Sequence, residues 1–158
     1  VVRAIVEANW PELETLTLWF GSAKSGAEVD ARELAPLFSG ERFPKLKHLR
    51  LQACEFADEA VGLLLEAPLL SRLESVDLSY GLLGDAGADA LLHAAPKLGQ
   101  LRKLTLVETA VGATARELLR AVGPQVKVEN SGYGPNDSVD HFVPSAAGDG
   151  FVHVLHVG

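Results

Sequence analysis

The stretch that decides the fold is Leu46-Lys-His-Leu49-Arg-Leu51-Gln-Ala-Cys54-Glu-Phe56. Leu49 and Leu51 stand two apart, so in an extended segment both side chains leave the same face. The same spacing recurs three more times: Leu13-Glu-Thr-Leu16-Thr-Leu18, Leu73-Glu-Ser-Val76-Asp-Leu78 and Leu101-Arg-Lys-Leu104-Thr-Leu106. Gly21, Cys54, Gly81 and Thr109 follow three residues after the last Leu, and Ala23, Phe56, Leu83 and Val111 two further on. Starts at 13, 46, 73 and 101 give spacings of 33, 27 and 28 residues, the signature of a repeat architecture.

Between the strands runs a second period. Val61, Leu64 and Leu65, then Ala88, Leu91 and Leu92, then Ala115, Leu118 and Leu119 fall at i, i+3, i+4. Each set predicts an apolar helical stripe facing back onto the strand leucines. Asp58 and Asp85 stand where a helix start needs a capping carboxylate. Pro44, Pro68, Pro96 and Pro124 come at comparable points, where proline stops a helix. No single repeat buries both of its faces, so stacking must build one core.

These residues resemble the leucine-rich-repeat family, and the long repeats are similar to its ribonuclease-inhibitor-type subclass. Asp85-Ala-Gly87-Ala-Asp-Ala-Leu91-Leu92 matches the helix start of that subclass. Asp58-Glu-Ala-Val61 lacks the glycine, and Ala113-Thr114-Ala-Arg-Glu-Leu118 matches less well. The resemblance implies an α/β fold: a short solenoid with a parallel concave sheet, convex helices and a C-terminal capping tail. The solenoid is expected over residues 1–129 in about four repeats. Residues 130–158 are expected to form an irregular tail, in which Phe151–Val157 reads as one strand able to cap the last repeat. Gln125-Val-Lys-Val128 reads as a shortened last strand, and Phe20–Val29 as an inserted surface loop. The chain begins at Val1 and has no Met, which points to a trimmed chain. Val1–Ala8 then reads as the helix of an earlier repeat, leaving an uncapped N-terminal end open to self-association.

Composition narrows function by exclusion. The chain has 158 residues, with 26 Leu and one Ile, and 14 Lys+Arg against 21 Asp+Glu give a net charge of −7. A general nucleic-acid binder needs a basic excess, so that class is not expected. The longest apolar run, Ala60–Leu65, is far too short to span a membrane. One cysteine, Cys54, rules out an internal disulfide framework and reads as a buried, inert thiol. His141, His153 and His156 with Asp137, Asp140 and Asp149 match no metal-ligand spacing, so no metal or cofactor is expected. Nucleophile-elbow and phosphate-loop sequences are absent, and no enzyme is expected.

What remains is surface. Outward strand positions are Thr15, Thr17 and Trp19; His48, Arg50 and Gln52; Ser75, Asp77 and Ser79; and Lys103, Thr105 and Val107, with Ala53, Tyr80 and Glu108 at the rim. Aromatic residues and arginine dominate binding hot spots, so Trp19, His48, Arg50, Gln52, Asp77, Tyr80, Lys103 and Glu108 form the expected partner-binding set. Arg50 and Asp77 are expected to pair across adjacent strands. Trp19 has a second reading, packed under the inserted loop, and Tyr80 one against its rim neighbours. The expected function is a non-catalytic protein–protein interaction module using the concave strand face. Alternatives are a regulator of an enzyme or a scaffold within a larger protein, and the default compartment is the cytoplasm.

Overall fold

The computed structural model describes residues 2–21 and 29–130. Five strands, β1 (Thr15–Trp19), β2 (His48–Gln52), β3 (Ser75–Asp77), β4 (Lys103–Val107) and β5 (Val126–Glu129), form one sheet in sequence order. Every neighbouring pair is parallel, and the repeat leucines align: Leu16 with Leu49, Leu49 with Val76, and Val76 with Leu104. A parallel neighbour requires a crossover on every connection, and here the crossovers are helical. They contain α2 (Ala35–Phe38), α3 (Ala57–Leu65), α4 (Asp85–His93), α5 (Ala95–Leu98) and α6 (Ala113–Val122), while α1 (Val2–Glu7) precedes β1.

The core is the repeat pattern in three dimensions. Leu13, Leu46, Leu73 and Leu101 are buried, as are the two following inward positions of all four L-x-x-L-x-L segments, none more than 3% exposed. Full burial of each such side chain is worth about 1.5–3 kcal/mol, the main favourable contribution set against the entropy of ordering a repeat. The helices close the other side through Val61, Leu64, Leu65, Ala88, Leu91 and Leu119. Leu118 departs from its predicted stripe: it is 53% exposed on α6, and Ala115, Leu119 and Val122 hold that helix against the core. Val2 and Val6 of α1 are buried, and Ile5 packs against the core.

The helix starts differ from the expectation in an informative way. Asp58 and Asp85 do not cap their own helices, whose N-cap residues are Phe56 and Gly84. Each carboxylate reaches the following repeat instead: the Gly84 N–H donates to Asp58 Oδ1 at 2.8 Å and the Gly112 N–H to Asp85 Oδ1 at 2.7 Å. Gly84 and Gly112 are the N-caps of α4 and α6, so each repeat satisfies a helix-entry amide of the next. This also explains the glycine after Asp85. A Cβ on Gly87 would collide with Asp58 Oδ1 and a Leu83 methyl. The prolines differ as well: Pro68 opens a 3₁₀ turn, Pro68–Arg72, and Pro96 lies in the first turn of α5. Proline fits a helix start because its missing N–H is unneeded there.

The expected loop at 20–29 lies largely outside the described residues, and the expected tail at 130–158 does so from 131 onward, with its histidines, its aspartates and the expected capping strand. Among the described residues no helix is long and apolar enough to cross a membrane, and no cluster of metal-ligating side chains occurs.

Candidate functional site on the strand face

Where each strand ends, the chain must turn inward toward the core, and three repeats do so identically. Ala53, Tyr80 and Glu108 all adopt left-handed backbone conformations, with φ of 51°, 64° and 51°. This region is uncommon for residues other than glycine and costs on the order of 1–3 kcal/mol each. Each of the three is also the last rung of the ladder: their N–H groups donate to Ser79, Val107 and Glu129 carbonyls at 3.1, 2.8 and 2.9 Å. The turn then buries the next residue, Cys54, Gly81 or Thr109. At Gly81 a Cβ would stand 2.6 Å from the Cys54 carbonyl oxygen, so only glycine fits.

This rim carries the aromatic pair. Trp19 ends β1 and Tyr80 follows β3, yet their ring centroids lie 5.9 Å apart with planes tilted 32°. The two half-exposed rings therefore reach toward each other past the end of β2, where Gln52 is in register with Trp19. Gln52 Nε2 donates to Asp77 Oδ2 at 3.0 Å, and the Ser79 N–H donates to Asp77 Oδ1 at 3.0 Å. Buried Ser79 in turn accepts the Val107 N–H at its Oγ, 3.1 Å away. Beyond Asp77, where β3 ends, these side-chain bonds interleave with the backbone rungs from Leu78 N–H to the Thr105 carbonyl and from Tyr80 N–H to that of Val107.

The structure brings five of the eight expected residues together: Trp19, Gln52, Tyr80, Asp77 and Arg50. Arg50 is in register with Asp77, but the expected ion pair does not form. The carboxylate is committed to Gln52 and Ser79, and exposed Arg50 has no ion pair among the described residues. His48 lies at the opposite end of the strands with its Nδ1 2.8 Å from Ser75 Oγ. Lys103 sits at that end also, exposed. Glu108 is at the rim but only 8% exposed, so it does not belong to the accessible surface.

Sequence reasoning missed a charge ladder along the strand starts. Glu14, Lys47, Glu74 and Arg102 occupy one repeat position, and Glu74 lies 3.7 Å from Lys47 Nζ and 3.5 Å from Arg102 Nε. The alternation of sign at spacings of 33, 27 and 28 was the available signal. Cys54 is 1% exposed, and burial pushes its thiol up to about 12, which keeps it protonated and unreactive.

No family model matches the chain. Over 85 residues, 53% of its length, the chain is 36% identical to protein NLRC5 of Mus musculus, and it covers 4% of that protein. Among solved structures, a Bacteroides fragilis protein superposes with a TM-score of 0.72 at 30% identity, over 83% of this chain and 36% of that one. The chain thus spans a minor part of both relatives. A sheet that gains one parallel strand with every L-x-x-L-x-L segment, together with these two likenesses, makes the chain a leucine-rich-repeat protein with an α/β solenoid fold.

Proposed function

We propose that the chain is a non-catalytic protein-interaction module that holds its partner on the concave strand face. The leucine-rich-repeat likeness points to protein–protein interaction in general. The finer reading rests on one observation: two half-exposed rings pack 5.9 Å apart at one end of an otherwise polar strand surface. Aromatic area placed beside an exposed arginine is the composition of a binding hot spot. The helix in each of the three complete crossovers, α3, α4 and α6, fits the ribonuclease-inhibitor-type subclass. That likeness keeps inhibition or activation of an enzyme as the second reading, since binding a partner enzyme would use the same face.

The test is affinity capture from source lysate, with the parent chain and a Trp19→Ala/Arg50→Glu variant compared by mass spectrometry. Both sites are half or fully exposed, so circular dichroism should give the same spectrum for the two. The expected result is a partner held by the parent and lost by the folded variant. Capture that survives both substitutions rejects the concave face.

A further inference from the structure

Resting on that reading, we infer that the partner presents an extended acidic–apolar segment, with a carboxylate and a large apolar side chain two residues apart. The charge layout supports this. Acidic side chains outnumber basic ones on the convex helices α3, α4 and α6, where Asp58, Glu59, Asp85, Asp89 and Glu117 stand against Arg116 and Arg120, the only Lys or Arg of these three helices. On the central strands β2–β4 the exposed charges are cations: Arg50 on β2 and Lys103 on β4, neither in an ion pair among the described residues, while exposed Glu129 on the edge strand β5 pairs with Lys127. The carboxylate between them, Asp77, is half-buried and accepts from Gln52 and the Ser79 amide, so its own side of the surface is already satisfied. An incoming carboxylate at the centre of the sheet meets the Arg50 guanidinium and no exposed anion, with Lys103 adding positive charge toward the strand starts.

The spacing follows from the strand. Arg50 and Gln52 leave the same face of β2, about 6.6 Å apart at the rise of an extended chain. Gln52 is in register with Trp19, so the aromatic pair begins one pleat repeat beyond Arg50. A peptide lying along β2 in an extended conformation matches that step with its own i and i+2 side chains. One then meets Arg50 and the other lies on the Trp19–Tyr80 rings.

A phage-displayed library of random peptides of about twelve residues, longer than the five-residue β2 they would lie along, selected on the full chain, tests this. Enriched sequences should carry Asp or Glu two positions from an aromatic or large aliphatic residue. Affinity of an enriched peptide should fall about tenfold or more with Arg50→Glu, and by a similar factor with Trp19→Ala. Arg50→Gln serves as a second variant, removing the charge without reversing it. Enrichment of basic peptides, or loss with Trp19→Ala but not with either Arg50 variant, overturns the acidic partner and leaves the concave-face reading standing. Binding indifferent to Trp19 and Arg50 alike overturns both, and a selection with no enrichment overturns the peptide ligand.

Discussion

At the residue scale the contrast is between side chains that finish the fold and side chains that the fold leaves available. Cys54 belongs to the first group. Its thiolate would lose its hydration in the core, so burial raises the thiol from its ordinary 9.0 to about 12. A raised folded value means the folded state holds the proton longer than the unfolded chain. The thiol's contribution is therefore intact below about pH 9 and is lost as pH climbs toward about 12. Urea unfolding of the parent and of Cys54→Ala at about pH 8 and about pH 10.5 should show the parent losing ground to the variant at the higher pH. A gap that stays constant would show that Cys54 ionises alike in both states. Arg50 belongs to the second group. Its expected bond to Asp77 was inferred from strand adjacency, and the adjacency is present. What the spacing could not reveal is that Asp77 faces two nearer donors, one of them a backbone amide created by the turn at Ser79.

Helix starts give the element scale its sharpest test. The carboxylates of Asp58 and Asp85 hold the next repeat's entry amides, so they act between elements rather than within one. Asp58→Ala leaves the half-buried Gly84 amide without its acceptor, an expected loss of about 1–2 kcal/mol in denaturant unfolding. Gly87→Ala sets two effects against each other. Helix propensity favours alanine by about 1 kcal/mol, while overpacking costs about 1–3 kcal/mol. The overlap involves both Asp58 Oδ1 and a Leu83 methyl, so destabilisation should win. Adding Asp58→Ala removes one of the two collisions, and the double-mutant cycle should show coupling of about 0.5 kcal/mol or more. Strict additivity would separate Gly87 from the Asp58 contact. The sequence carried this contact in plain form, since Asp58 and Asp85 are 27 residues apart, one repeat length. Reading each repeat as a unit hid it, because a cap is ordinarily sought within four residues.

Over the whole molecule, the periodic part of the sequence was legible and the aperiodic part was not. Strand leucines, helix stripes and strand order follow from period and stacking alone, since each inward position has one geometric destiny. Leu118 shows where that logic stops: its spacing fits the stripe, but α6 turns Leu119 inward instead, and Leu118 faces outward. The meeting of Trp19 and Tyr80 was likewise hidden, because it spans two strands and depends on a left-handed turn at a tyrosine. Continuity of the core predicts how the molecule fails. Leu49→Ala, in the second of five strands and fully buried, should cost about 2–5 kcal/mol. It should lower the whole unfolding transition, followed by far-ultraviolet circular dichroism, because each repeat holds its neighbours. A local loss with the rest of the transition unmoved would mean the repeats fold independently.

The strand face as the partner's seat is the central claim, and site-specific photo-crosslinking tests it most directly. A photoreactive residue placed at Thr17, on the strand face beside Arg50, is compared with one at exposed Glu117 on α6. Thr17 should crosslink the captured partner and Glu117 should not. The reverse pattern, a crosslink from the helix and none from the strand, would move the binding surface to the convex side and contradict the account.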